Sequence, residues 1–151
     1  MSKLQKQVAD FHVAMGQVDE TPPHDPSQDV RMKRALICIE EFMELGVALV
    51  GAYDCRRICS EMVDKVTKKR GFGGQGGLVE IADACSDSSV VVTGTLLECG
   101  IFDDPLNDEV MRSNMAKEGG EVDEWGKFQK PPGWTPPDIE GVLRAQGWDG
   151  R

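Results

Sequence analysis

Apolar residues recur at helical spacing along most of this chain, and a glycine or a proline closes each run. The first row consists of Leu4, Val8, Phe11 and Met15. Gly16 follows it directly. A half-buried strand alternates apolar and polar residues, whereas an amphipathic helix repeats them every three or four positions, so this pattern predicts helices. Because the β-branched run at 90–92 is enclosed by the same periodicity, we predict an all-α protein.

The breaks between the apolar runs set the bounds of the predicted helices. In chain order, we expect helices over 2–15, 29–50, 53–70, 78–99, 104–117 and 138–143. Asp29 and Asp104 are the expected N-caps of the helices predicted over 29–50 and 104–117, and Pro105 is expected at the first helical position after Asp104. About four of these helices are expected to form a four-helix bundle.

The C-terminal part of the chain differs in composition from the rest. Residues 118–151 are rich in glycine, proline and tryptophan, which predicts an extended tail with a short hairpin near Gly126. Trp134 stands among four prolines, and we interpret it as an anchor that packs the tail onto the helices. At 151 residues, the whole chain suits a single domain.

A glycine-rich loop separates two of the long helices. Five of the seven residues at 71–77 are glycine, as in a phosphate-binding loop. The lysine and the serine or threonine that follow the glycines in that motif are absent here, which argues against it. We therefore interpret the loop as a hinge or as a flap over an active site.

Composition excludes several classes of function. The chain holds 26 acidic and 17 basic residues, a net charge of −9, which argues against a nucleic-acid partner. It has no apolar run of the length that spans a membrane, and its N-terminus lacks the apolar segment of a signal peptide. The five cysteines include no paired CxxC motifs and suit reduced thiols. We therefore expect a cytoplasmic protein without a membrane partner.

The acidic residues are concentrated beside the apolar stripes of two predicted helices. One cluster consists of Glu40, Glu41 and Glu44, and the other of Glu80, Asp83 and Asp87. Like charges three or four residues apart destabilise a helix, so two such clusters suggest that a cation lies between them. Carboxylate oxygens favour Mg²⁺, with Mn²⁺ as the alternative. Neither helix carries the Glu-x-x-His pair of a di-iron bundle.

These residues resemble the EExxE…ExxD signature of the all-α nucleoside triphosphate pyrophosphohydrolases, the MazG-like proteins related to dimeric dUTPases and phosphoribosyl-ATP pyrophosphohydrolase. The resemblance extends over nearly the whole chain. It includes Phe11-His12, the runs 34–45 and 78–94, the segment from Arg112 to Lys117, and 136–139. The stretch 53–77 departs from the family pattern because it is longer and richer in glycine.

The resemblance implies Mg²⁺-dependent hydrolysis of nucleoside triphosphates, with dNTPs expected, between the α- and β-phosphates. The implied metal ligands are Glu41, Glu44, Glu80 and Asp83. Glu40 is expected to orient and deprotonate the attacking water. Candidate phosphate contacts are Asn114, Lys117, Arg112 and Arg34. Arg34 has the alternative role of an ion-pair partner for Asp29 or Glu40.

Two other functions stay open at this point. One is the phosphoribosyl-ATP pyrophosphohydrolase activity of the same fold, which the long tail disfavours. The other is a non-catalytic helical interaction module, which the five crowded acids argue against. A bundle of this size leaves apolar edges exposed, and related proteins associate through their helices. We therefore expect a homodimer or a dimer of dimers.

Overall fold

The computed structural model of the chain describes residues 1–17, 22–70, 75–123 and 127–150. Its helices are α1 (Lys3–Ala14), α2 (Gln28–Arg70), α3 (Leu78–Glu98), α4 (Asp103–Met115) and α5 (Ile139–Ala145). The described residues contain no strand, and an isolated antiparallel bridge joins Val122 and Phe128. The prediction of an all-α protein is therefore confirmed, while the four-helix bundle stays a prediction.

Helix α2 is bent at Gly51, whose backbone (φ 76°, ψ 162°) lies outside the helical region. This conformation favours glycine, since a Cβ would be strained there. We call residues 28–50 the first arm of α2 and residues 52–70 the second arm. The break agrees with the sequence, which predicted two separate helices on either side of this position.

Two predicted N-caps are wrong, although the helix bounds differ from the predictions by only one or two residues. Helix α2 begins one residue early, and the Ser27 hydroxyl, rather than Asp29, accepts a hydrogen bond from the Val30 N–H at 3.4 Å. Helix α4 begins at Asp103, with Phe102 as its N-cap and no side-chain cap. Acids in the first turn of α4 still suit the positive end of the helix dipole, so Asp104 fits there without capping.

The chain divides into two compact units, one of residues 25–81 and the other of residues 1–24 with 82–151. The single-domain organisation expected from the chain length stays a prediction. We call residues 1–24 with 82–151 the second unit, and within it α4 packs against both α1 and α5. The Lys3 ammonium and the Gln7 amide both bond to the Asp108 carboxylate at 2.7 Å, which joins α1 to α4. No helix in the described part of the chain has the length and apolar character needed to cross a membrane.

The tail folds back on the helices of the second unit. The Trp134 indole N–H donates to the Ser113 carbonyl of α4 at 2.9 Å. The Ser113 hydroxyl, in a residue only 1% exposed, donates to the Thr135 carbonyl at 3.0 Å. Phe128 makes an edge contact with Phe11 of α1, with ring centroids 6.3 Å apart. These contacts agree with the interpretation of Trp134 as an anchor, whereas Gly126 lies outside the described residues.

Candidate active site

The first acidic cluster lies on the first arm of α2. Glu40, Glu41 and Glu44 are all exposed to solvent and occupy consecutive turns of the helix. Three carboxylates so close along one helix repel each other in the absence of a cation. Exposure to water reduces that repulsion.

The second acidic cluster begins in the first turn of α3. The Gly77 backbone N–H donates to Glu80 Oε2 at 3.0 Å. Glu80 therefore caps its own helix, since the first N–H groups of a helix lack partners within it. The carboxylate also lies at the positive end of the helix dipole, which stabilises its negative charge. Asp83 follows one turn later on the same helix and is exposed.

A preassembled metal site is absent from the part of the chain that the structure describes. Across these residues, no three His, Cys, Asp or Glu side chains lie close enough together to hold one ion. The donors are nonetheless hard carboxylate oxygens, the type that Mg²⁺ and Mn²⁺ prefer. The candidate ligands thus fit these ions by donor chemistry, and their roles stay predictions.

Two of the four candidate phosphate contacts lie together at the end of α4. Lys117 Nζ donates to Asn114 Oδ1 at 2.8 Å. The Lys117 ammonium also lies 6.0 Å from the centre of the Trp134 ring, and the Lys130 ammonium lies 4.5 Å from it. The tail therefore brings a second cation beside Lys117, held in part by attraction to the aromatic face.

The other two candidate contacts have different surroundings. Arg112 donates to both oxygens of Glu109, at 2.7 and 2.8 Å, and to the Pro136 carbonyl at 3.4 Å. Glu109 also accepts a hydrogen bond from the Asp138 backbone N–H at 2.7 Å. Arg112 therefore helps to hold the tail and α5 on α4, a role that the sequence did not predict. Arg34 is exposed on the first arm of α2.

The ion pair on α4 changes the acidity of Glu109. Hydrogen bonds from the Arg112 guanidinium and from the Asp138 backbone N–H favour the ionised carboxylate and lower the pKa of Glu109 to about 2. Its side chain is 18% exposed, so these bonds are partly shielded from water. Glu109 therefore stays ionised at neutral pH, and its role in the second unit is structural.

Arg31 is a positioning residue that the sequence did not reveal. Its guanidinium donates to the Gly76 carbonyl at 2.8 Å, to the Pro26 carbonyl at 3.0 Å and to the Asp25 carboxylate at 2.8 Å. These bonds hold the segment before α3 against the start of α2. Arg31 therefore fixes the turn from which Glu80 projects. Only its helical position was visible in the sequence, since its acceptors are mostly backbone atoms.

Comparisons with known proteins identify a structural relative. No protein-family model matches the sequence, and no curated protein matches it. The fold is similar to the crystal structure of a protein from Exiguobacterium sp. 255-15 whose assignment as an NTP pyrophosphohydrolase is itself provisional. The two chains are 25% identical, with a TM-score of 0.76, over 96% of this chain and 94% of that one.

The similarity extends over nearly the whole of both chains. It also agrees with the general family that the acidic motif suggested, an all-α NTP pyrophosphohydrolase. The MazG-like subtype stays a prediction.

Proposed function

We propose that this protein is a Mg²⁺-dependent pyrophosphohydrolase of nucleoside triphosphates, with dNTPs as the expected substrates. Water attacks between the α- and β-phosphates, and the products are a nucleoside monophosphate and pyrophosphate. The observation that carries the proposal is the occurrence of two exposed acidic clusters, on α2 and α3, in a chain similar over 96% of its length to the Exiguobacterium protein.

The proposed metal ligands are Glu41, Glu44, Glu80 and Asp83. When bound, Mg²⁺ would supply positive charge between these carboxylates and the anionic triphosphate, and would make a bound water more acidic. Glu40 lies beside Glu41 on the first arm and is proposed to orient the attacking water and to accept its proton at a carboxylate oxygen.

The phosphate chain is proposed to contact cationic and amide groups at the end of α4. Lys117 and Asn114 are hydrogen-bonded to each other at 2.8 Å, so the lysine side chain is already ordered before substrate binds. Preordering lowers the entropy cost of binding. Arg34 and Arg112 are the further candidates, although Arg112 would have to keep or exchange its bonds to Glu109.

The direct test is product analysis with a panel of NTPs, dNTPs and phosphoribosyl-ATP in the presence of Mg²⁺. We expect a monophosphate and pyrophosphate from a dNTP. Release of orthophosphate would overturn cleavage between the α- and β-phosphates, and preferred turnover of phosphoribosyl-ATP would reassign the substrate. No turnover of any compound would favour a non-catalytic interaction module.

Variants of the acidic clusters test the residue roles in the same assay. Glu44→Gln and Asp83→Asn each remove one charge and should lower turnover at least 100-fold. Glu98→Gln makes the same change at the exposed end of α3 and is the matched control. Activity retained in Glu44→Gln or Asp83→Asn would contradict the proposed ligand role.

We also propose that the protein is a homodimer or a dimer of dimers. Large apolar side chains on the first arm of α2 are exposed, among them Ile39 (58%), Met43 (47%) and Val50 (47%). Contiguous apolar patches on a folded chain are typical of an association surface. A 16.6 kDa chain that sediments as a monomer at micromolar concentration would contradict this proposal.

A further inference from the structure

A single peptide group joins Arg31 to Glu80. Arg31 Nη1 donates to the Gly76 carbonyl oxygen at 2.8 Å. The Gly77 N–H donates to Glu80 Oε2 at 3.0 Å. The carbonyl of residue 76 and the N–H of residue 77 belong to one planar peptide group, and in the trans form they point in opposite directions. The two side chains therefore hold this group from its two sides, and we call the pair of hydrogen bonds the Arg31–Glu80 relay.

Two further hydrogen bonds fix the Arg31 guanidinium in place. Its Nε donates to the Pro26 carbonyl at 3.0 Å, and its Nη2 donates to Asp25 Oδ1 at 2.8 Å. The side chain is only 20% exposed. Each of the three guanidinium nitrogens thus has an acceptor, and the donor directions of this planar group are rigid. Arg31 therefore presents a fixed donor to the Gly76 carbonyl.

The segment before α3 is tied to the first arm at a second point and packs closely against Glu80. The Gln75 side-chain amide donates to the Gln28 side-chain oxygen. A Cβ on Gly76 would lie 3.0 Å from the Glu80 Cβ, and a Cβ on Gly77 would lie 3.4 Å from Glu80 Oε2. Glycine at both positions therefore lets the glutamate side chain lie directly against the turn.

The relay fixes one of the two oxygens of the Glu80 carboxylate. An ionised carboxylate accepts at both oxygens, so the bond at Oε2 leaves Oε1 for a cation. Carboxylates that bind metals are themselves oriented by hydrogen bonds, and loss of such a supporting partner lowers metal affinity about 10- to 100-fold. The Gly77 N–H is such a partner for Glu80, and Arg31 holds the peptide that carries it.

We propose that Arg31 is a positioning residue for the metal site and that it acts on Glu80 through the peptide group between them. The guanidinium holds the peptide plane in one orientation, which keeps the N–H directed at Oε2. Its charge also polarises the peptide group, which strengthens the N–H as a donor. The proposal rests on the function proposed above, since it takes Glu80 as a metal ligand.

Arg31 acts on the metal site only indirectly. It precedes Glu40 by nine residues on the first arm, a distance of about 14 Å at about 1.5 Å per residue. Its three nitrogens are already engaged at the start of α2. The acidic cluster 40–44 is therefore not its partner, and its effect on a bound ion passes through Glu80.

The first experiment measures the relay in the metal-free protein. Arg31→Lys keeps the positive charge, but a single ammonium does not reproduce the planar fork of the guanidinium. Solvent exchange of the Gly77 amide, followed by ¹H–¹⁵N NMR, should become about 10-fold faster in this variant. The Ile81 amide donates to the Gly77 carbonyl at 3.1 Å and reports on the first turn of α3. Its exchange should change by less than about 3-fold.

Arg57→Lys is the matched control for this substitution. The Arg57 guanidinium bonds to the Asp54 and Glu61 carboxylates of the second arm, both at 3.2 Å. The same chemical change is thus made in the second arm rather than beside Gly77, and the Gly77 amide should exchange as in the wild type. Equal acceleration of the Gly77 and Ile81 amides in Arg31→Lys would indicate a frayed helix and would overturn the relay.

The second experiment measures metal affinity without turnover. Mn²⁺ is titrated into the nucleotide-free protein, and the electron paramagnetic resonance signal of unbound Mn²⁺ gives the Kd. Arg31→Lys should raise the Kd about 10-fold, and Arg57→Lys should leave it unchanged. In a Glu80→Ala background, Arg31→Lys should change the Kd by less than about 2-fold, because a positioning residue acts only through the ligand that it positions.

The outcomes separate this inference from the proposed function. A wild type that hydrolyses dNTPs, but whose Mn²⁺ affinity Arg31→Lys leaves unchanged, overturns the role of Arg31 and leaves the function standing. An equal loss of affinity with and without Glu80 would also overturn the relay. A wild type whose Mn²⁺ affinity depends on Arg31 as expected, but which hydrolyses no nucleotide, overturns the proposed function alone. A wild type that neither binds Mn²⁺ nor hydrolyses a nucleotide overturns both.

Discussion

Gly46 and Cys55 meet across the bend of α2 so closely that a methyl group on Gly46 would lie 2.8 Å from the cysteine sulfur. Cys55 is only 4% exposed, and its burial raises the pKa of the thiol. A buried, protonated thiol behaves as a small apolar side chain rather than as a reactive one. Gly46 and Cys55 therefore pack the two arms of α2 against each other beside the bend, and Cys55 has a packing role.

Gly46→Ala tests this contact because two effects of the substitution oppose each other. Alanine stabilises a helix by about 1 kcal/mol relative to glycine, whereas overpacking costs about 1 to 3 kcal/mol. We expect a net loss of stability in the wild-type background. In a Cys55→Ala background the sulfur is gone, and Gly46→Ala should then stabilise the protein. Urea unfolding of the wild type, the two single variants and the double variant measures the coupling between the two positions. If Gly46→Ala changed the free energy of unfolding with the same sign in both backgrounds, the contact would be contradicted.

Glu109 makes the stability of the second unit depend on acid pH. Its pKa of about 2 in the folded chain lies below the ordinary glutamate value of 4.5. The ionised carboxylate therefore stabilises the fold above pH 4.5, and this contribution falls as the pH drops from 4.5 towards 2. Glu109→Gln lacks the contribution, so its difference in Tm from the wild type should shrink across that range.

The control for this titration is Glu140→Gln. Glu140 also accepts a hydrogen bond from an arginine, Arg144, at 2.7 Å, but its side chain is 64% exposed. Exposed ion pairs contribute little to stability, so the Tm difference for Glu140→Gln should stay small at every pH. A Glu109→Gln difference that does not change between pH 5 and pH 3 would count against the lowered pKa.

The indole N–H of Trp134 anchors the tail through a single hydrogen bond to α4. Trp134→Phe keeps an aromatic ring but leaves the Ser113 carbonyl without its donor, which should cost about 1 to 3 kcal/mol. Trp148→Phe serves as the comparison, since Trp148 is 42% exposed. Urea unfolding measures both variants. Equal losses of stability would indicate that the Trp134 hydrogen bond has no special role.

The helices were predictable because local signals mark their ends. Gly16 and Gly100 have φ values of 70° and 72° and follow α1 and α3, as the sequence indicated. At Gly51 the sequence predicted only that one helix ends and another begins. The contact between Gly46 and Cys55 was not predictable, because it depends on the direction that the second arm takes after the bend. The N-cap prediction for α2 failed because Ser27, two positions before Asp29, takes that role. The prediction for α4 failed because the helix begins at Asp103, directly after Phe102.

The acidic motif was predictable from the spacing of its residues, but the hydrogen-bond partners of the candidate site residues were not. Glu80 was predicted as a metal ligand, and its bond to the Gly77 N–H depends on the first turn of α3. Arg112 was predicted to contact phosphate, and its bonds reach Pro136, 24 residues away along the chain. Contacts of that kind depend on the path of the tail, which glycine and proline composition leaves undetermined.

Glu80 has a structural role and a proposed catalytic role, and two substitutions separate them. Glutamine can replace glutamate in the cap of a helix, so the free energy of unfolding of Glu80→Gln should lie within about 0.5 kcal/mol of the wild-type value. The free energy of unfolding of Glu80→Ala should be lower than that of the wild type by about 0.5 to 2 kcal/mol. Both variants lack the charge that a metal ligand supplies, so both should lose at least 100-fold in turnover. Stability is measured by urea unfolding and turnover by pyrophosphate release. Glu80→Gln with wild-type turnover would reduce Glu80 to a capping residue, and the proposed metal site would then need a different fourth ligand.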